Sequence, residues 1–175
     1  MQAIAQAVPL ETYLHTSYRP DCDWIEGEIR ERNEGQFEHS NLQAVLTAYF
    51  HTRREEWNVR VLPEQRVRVG PRKYRIPDIA IIGLDRERTP ILTEAPLIVI
   101  EIMSPDDTAA DLHDRCLEYL QMGVSHVWVF DPFKHRTWDV DSLGWHAVAS
   151  EDPQAVLAAG VIQLVPKQIF DLSSL

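Results

Sequence analysis

The stretch Leu97–Pro132, LIVIEIMSPDDTAADLHDRCLEYLQMGVSHVWVFDP, decides the fold. Its opening, Leu97–Ile102 (LIVIEI), is a near-continuous apolar run, the pattern of a strand covered on both faces. Asp106 and Asp107 can cap a helix that runs to about Met122. Ala109, Leu112, Cys116, Tyr119 and Leu120 form its buried stripe, and Gly123 suits the residue just past a helix end. His126–Phe130 (HVWVF) is a second apolar strand, ended by Asp131-Pro132. Strand, helix, strand makes a βαβ unit, whose strands should be parallel with a right-handed crossover.

Upstream, His39 to Trp57 reads as a helix, with Leu42, Val45, Leu46, Tyr49 and Phe50 on one apolar face. Trp57, at its end, can stack on a base or simply pack. Gln65–Val69 alternates by two, and Gly70-Pro71-Arg72-Lys73 is a turn. Tyr74–Ile82 resumes as a strand, its first half demoted by Pro77. Trp24–Ile29 (WIEGEI) is a short strand or hairpin arm. Downstream, Thr137–Asp141 and Trp145–Ala149 flank Ser142-Leu143-Gly144 as a hairpin. The tail from Val161 through Ile169, Phe170 and Leu172 should pack back on the body. The order predicts an α/β fold with a central mixed sheet flanked by helices (αβββαβ). An N-terminal strand or hairpin and a C-terminal β-hairpin are added, all in one domain over residues 1–175.

Composition narrows the function. Of 175 residues, 45% are hydrophobic and 25% charged, which is globular. Acids outnumber bases 27 to 17, a net charge of −10, so a charge-driven coat on nucleic acid or an anionic membrane is excluded. A nucleic-acid partner would need a local basic patch and a metal ion. Cys22 and Cys116 have neither CxxC nor zinc-finger spacing. The N-terminal MQAIAQAVPLE lacks the basic and apolar regions of a leader. The apolar run around Ala95 to Met103 is too short to span a bilayer and carries Glu101. A soluble, cytoplasmic protein is expected, with no membrane partner. No HxxxH or HExxH pair, GxGxxG, Walker A or GxSxG motif occurs, which removes zinc-hydrolase, nucleotide-loop and serine-hydrolase chemistry.

Two acids sit inside apolar strands: Asp78 in RIPDIAI and Glu101 in LIVIEIM. A carboxylate there is costly unless paired, hydrogen-bonded or metal-bound. Taken singly, each suits a salt-bridge partner or a cap. If their strands are neighbours, the two can converge on one ion, and hard oxygen ligands suit Mg²⁺ or Mn²⁺.

The ordered set DWIEGEI (Asp23–Ile29), His39, IPDIAII (Ile76–Ile82), IEIMSPDD (Ile100–Asp107) and DLHDRCLEYLQMGVSHVWVFDP (Asp111–Pro132) resembles the PD-(D/E)XK restriction-endonuclease-like superfamily. More narrowly, it resembles a bacterial endonuclease-like branch, a domain of unknown function that often occurs in many copies per genome. The likeness runs from about Pro9 to the tail. It implies a divalent-metal phosphodiesterase core using Mg²⁺ or Mn²⁺. Asp78 and Glu101 would be catalytic metal ligands, with the Ile102 carbonyl as a third protein oxygen and Glu28 as an accessory acid. It also implies a nucleic-acid partner, DNA more readily than RNA, and a homodimer. A catalytically silent binding or assembly module on the same fold is the alternative.

The sequence departs from the family pattern at two positions. A lysine normally stands two residues after the second acid; here that residue is Met103. In the branch the lysine moves to the following helix, where this chain has Arg115. Arginine stays charged and cannot act as a base at neutral pH, but it can stabilise negative charge on a phosphate. It can equally pair with Asp111 or Glu118 at helical spacing. His39 matches a branch position that could touch phosphate, or it is a surface or capping residue. Arg66, Arg68, Arg72, Lys73 and Arg75 form the one basic cluster, positioned either to steer a phosphate backbone or to pair with the abundant acids.

Overall fold

The structure, a computed structural model, describes residues 7–31 and 36–175. The reading of the extreme N-terminus falls in part on residues outside that range. In chain order the elements begin with α1 (Leu10–Leu14), β1 (Cys22–Ile25), β2 (Glu28–Glu31) and α2 (Phe37–Thr52). Next come β3 (Val59–Pro63), β4 (Val67–Gly70), β5 (Lys73–Arg75), β6 (Ile79–Gly83), β7 (Ile98–Ile102) and α3 (Ala109–Met122). The chain ends with β8 (His126–Asp131), β9 (Arg136–Asp141), β10 (Gly144–Val148), β11 (Leu157–Ala159), β12 (Ile162–Leu164) and α4 (Pro166–Ser173). Among the described residues no helix is long and apolar enough to cross a membrane.

A six-stranded sheet in the order β10-β9-β8-β7-β6-β3 forms the centre. The strands β7 and β8 run parallel with α3 between them in sequence, the βαβ unit expected, and the other pairs are antiparallel. Side-chain alternation divides the core into two layers. Ile79, Ile81, Ile98, Ile100, Ile102, Trp128 and Phe130 meet Leu42, Leu46 and Phe50 of α2 and Ile169 and Phe170 of α4. Ala80, Ile82, Val99, Val127 and Val129 meet Leu112, Cys116 and Tyr119 of α3. Burial holds Cys116 as an inert thiol, its pKa pushed up to about 12.

Three local expectations are corrected. Helix α2 ends at Thr52, not Trp57. Trp57 folds back to pack its ring on Tyr49 and Phe50, and Arg53 lies over the Tyr49 ring at 3.8 Å. Packing, the second of the two readings of Trp57, is what the structure shows. The cap of α3 is Thr108, not Asp106 or Asp107: its hydroxyl accepts from the Asp111 backbone N–H at 3.1 Å. Gly123 closes the same helix at φ +107°, a conformation that favours glycine. In the tail, Ile162, Leu164, Ile169 and Phe170 are buried, whereas Val161 and Leu172 are exposed.

The larger correction concerns Tyr74–Ile82, read as one strand. It is two strands in different sheets, because β5 belongs to a second sheet ordered β2-β1-β5-β4. Pro77 cannot donate to a ladder. The Ile76 N–H beside it is taken by Asp23 Oδ1 at 2.9 Å, and the chain crosses between sheets over Ile76-Pro77-Asp78.

A buried ion cluster holds the small sheet to α3. Arg75 on β5 donates from Nη1 to Asp23 Oδ2 and from Nε to Glu118 Oε2, each at 2.8 Å. Lys73 Nζ donates to the other Glu118 oxygen at 2.8 Å. Burial pushes the Glu118 pKa up, but the bonds from Arg75 and Lys73 outweigh it and hold it below the ordinary carboxylate value. A depressed carboxylate pKa adds stability above the unfolded value that is lost as pH falls through the folded one. Glu118→Gln should therefore cost about 2 kcal/mol at neutral pH. Its deficit against wild type should shrink as pH drops below the unperturbed value of 4.5. Thermal melts of both proteins from pH 7 to pH 3 measure this, and a deficit independent of pH would contradict it.

Candidate metal centre

The crossover at Pro77 sets the site. The β6–β7 register pairs Ile79 with Ile100, and one more step puts Asp78 opposite Glu101. Both acids share a sheet face with Ala80 and Val99, the face that α3 covers. Both are buried, at 2% and 3% exposure. The two chain-distant acids are thus cross-strand neighbours.

Each carboxylate is oriented by protein donors. The Ile102 backbone N–H donates to Asp78 Oδ2 at 2.7 Å, and His39 Nε2 lies 3.4 Å from Asp78 Oδ1. The Gln43 side-chain amide donates to the Asp78 carbonyl at 3.0 Å, tying the crossover to α2. The Tyr119 hydroxyl donates to Glu101 Oε1 at 2.8 Å, and Arg115 Nε stands 3.2 Å from Glu101 Oε2. Burial, then the Glu101 charge, raises the Tyr119 pKa well above its ordinary value, so this phenol stays a donor. Burial opposes the Arg115 charge, but Glu101 and Asp107 outweigh it and hold the guanidinium protonated.

These groups line a cavity of about 230 Å³. At about 30 Å³ per water it has room for roughly seven waters, enough for a hydrated ion. Among the described residues eight carboxylates line it, against three arginines and His39. Its field therefore favours cations over a bare polyanion. Among the described residues no three His, Cys, Asp or Glu side chains are grouped to hold a metal. An ion here would draw on the Asp78 and Glu101 carboxylates, the Ile102 carbonyl and water. That is an all-oxygen set, which fits Mg²⁺ or Mn²⁺.

Of the residues singled out in the sequence, Asp78, Glu101, Ile102, Arg115, His39 and Arg75 all line this cavity. Glu28 does not: it lies exposed on β2 beside Arg30, at 3.4 Å. Of the basic cluster, three members are engaged within the protein. Lys73 and Arg75 are bound to Glu118, and Arg66 covers the Tyr13 ring at 4.3 Å. Arg68 and Arg72 are exposed and donate to nearby carbonyls. Nor does Arg115 pair with Asp111 or Glu118; it reaches Glu101 and Asp107 instead. Met103 packs on the α3-side core, and among the described residues the arginine beside Glu101 comes from α3.

Sequence reasoning missed Asp23 and the polar roles of Tyr119 and Asp107. Asp23 carried a signal, being an acid beside Trp24-Ile25 in a short apolar strand, as Asp78 is beside Ile79. Tyr119 lies four residues after Arg115, on the same helix face, but read as core.

The fold is similar to the crystal structure of a putative nuclease belonging to DUF820 from Anabaena variabilis, with a TM-score of 0.81. The two share 22% identity over 95% of this chain and 99% of that one, a likeness of fold. The central mixed sheet flanked by helices is the restriction-endonuclease-like architecture expected from the sequence. No curated protein matches the chain. The Uma2 family model, described as putative restriction endonuclease, matches residues 10–161, and with most of its length so matched the chain belongs to that family.

Proposed function

We propose that the chain is a divalent-metal-dependent nuclease that hydrolyses nucleic-acid phosphodiester bonds at the Asp78–Glu101 pair. Membership of a family described as putative restriction endonuclease supports a nuclease-like function, and DNA is the proposed substrate. The observation that carries the reading is two buried carboxylates brought together where the chain enters β6 beside β7, next to a buried arginine, in a cavity that can hold a hydrated cation.

Asp78, Glu101 and the Ile102 carbonyl would hold Mg²⁺ or Mn²⁺. A bound divalent ion supplies Lewis-acid polarisation of the phosphate and acidifies water. The chain's own residues do the rest. The Ile102 N–H and His39 orient Asp78, and Tyr119 fixes one oxygen of Glu101. Arg115, permanently charged, stabilises negative charge on the phosphate as the bond breaks.

A silent binding module is the second reading, favoured by Arg115 standing against Glu101 and by apolar Met103 at the lysine position. Cleavage of single- and double-stranded DNA and RNA in Mg²⁺ or Mn²⁺ separates the two. Wild type should cut DNA, and Asp78→Asn and Glu101→Gln should fall to background while keeping the native melt. Arg115→Ala should lose about 10²- to 10³-fold in kcat while still binding Mn²⁺. Wild-type rates in both carboxylate variants would refute the site. Failure to cut any nucleic acid would favour the silent module.

We further propose that two copies pair through the β9–β10 hairpin. Strand β10 lies at the sheet edge, and Leu143 at the hairpin tip is 86% exposed. Light scattering should give twice the 20.2 kDa chain mass, falling to one chain in Leu143→Asp. A wild-type monomer would refute the pairing.

A further inference from the structure

We infer that Asp107 is a positioning residue, whose carboxylate anchors the Arg115 guanidinium beside Glu101 without letting it close onto Glu101. The inference rests on the metal-site reading above and extends it to a residue outside the ligand set.

Asp107 lies in the turn between β7 and α3, its side chain 5% exposed. Its two oxygens have separate tasks. Oδ2 accepts from the Ser104 backbone N–H at 2.7 Å, while the Asp107 N–H donates back to the Ser104 carbonyl at 3.1 Å. The turn therefore fixes where the carboxylate sits. Oδ1 accepts from Arg115 Nη2 at 3.0 Å, a charge-assisted hydrogen bond.

The contact of Arg115 with Glu101 is of another kind. Nε lies 3.2 Å from Glu101 Oε2, yet its N–H makes no hydrogen bond among the described residues. The strong arginine–carboxylate pair is a fork with two aligned N–H donors. That form is not reached at Glu101. The guanidinium is hydrogen-bonded by Asp107 and only approaches Glu101.

The charge arithmetic shows why this matters. Asp107, Arg115 and Glu101 together carry −1 and still attract a divalent ion. Without the Asp107 charge, Arg115 and Glu101 would form a neutral pair, leaving Asp78 as the charged ligand and weakening that attraction. Asp107 thus keeps one cation close enough to face a phosphate but too poorly aligned to replace the metal.

Asp107→Asn tests this with little change of shape. The asparagine oxygen can still accept from Ser104, whereas its amide then turns a donor toward the Arg115 donor. Calorimetric titration with Mn²⁺ should show about 10- to 100-fold weaker binding than wild type, the range for neighbours that orient metal ligands. In an Arg115→Ala background the same substitution should cost much less, because only the carboxylate's own charge is then lost. Unchanged or tighter binding in Asp107→Asn would overturn the inference. So would an equal loss in both backgrounds, which would show that Asp107 acts on the ion directly and not through Arg115.

A metal-free readout separates this failure from failure of the metal reading. By nitrogen-15 NMR the Arg115 Nε–H should behave as unbonded in wild type and move downfield in Asp107→Asn as it closes on Glu101. A hydrogen-bonded Nε–H in wild type would overturn the positioning role even if the variant does not fold. Wild type that binds no Mn²⁺ would refute the metal site, and the NMR result would still decide what holds Arg115.

Discussion

Two buried carboxylates on adjacent antiparallel strands cannot coexist without compensation, and the structure around them supplies it. Cross-strand neighbours have Cβ atoms about 5 Å apart. At that spacing two unit charges repel by about 3 kcal/mol for an effective dielectric constant of ~20. Asp78 comes to that position one residue before β6, where the β6–β7 register extended by one step meets Glu101 and the Ile102 N–H holds the Asp78 carboxylate. An amide N–H and a histidine reach Asp78, and a phenol and an arginine reach Glu101. None of these lies next to the pair in sequence except Ile102. The helices α2 and α3 are therefore tied to the sheet by the requirements of the pair as well as by their apolar faces.

The second sheet belongs to the same support. Asp23 on β1 accepts the Ile76 N–H and an Arg75 donor, and Arg75 reaches Glu118 on α3. Tyr119, the next residue, holds Glu101. One line of buried polar contacts thus runs from the N-terminal hairpin, through the crossover that delivers Asp78, to the helix that delivers Tyr119 and Arg115. Buried ion clusters of this kind add little net stability against an apolar replacement. What this one fixes is direction: the chain leaves one sheet and enters the other with Asp78 facing α3.

Much of this was legible in the residues. The apolar runs of β7 and β8, the stripe of α3 and Gly123 specified the βαβ unit, because period and capping are local properties. Asp78 and Glu101 stood out because a carboxylate in an apolar strand needs a partner. The division of Tyr74–Ile82 between two sheets was not legible, since Pro77 marks a break in pairing and not the sheet to which each half belongs. The basic cluster stayed open between two readings for a related reason. Charge density along the chain shows that cations are near one another, while Glu118 and Asp23, distant in sequence, decide that Lys73 and Arg75 are paired. Arg115 was located from spacing, but its partners lie on a strand and a turn that helical geometry alone does not bring within reach.

The acidic cavity and the proposed chemistry meet in one expectation: the pair, not the rim, is where a divalent ion sits. The most direct test is anomalous diffraction from crystals grown with Mn²⁺. A manganese peak in contact with both Asp78 and Glu101, next to the Ile102 carbonyl, is the predicted result. A peak confined to the rim at Asp111 and Asp114, or none while Arg115 stays against Glu101, would contradict it.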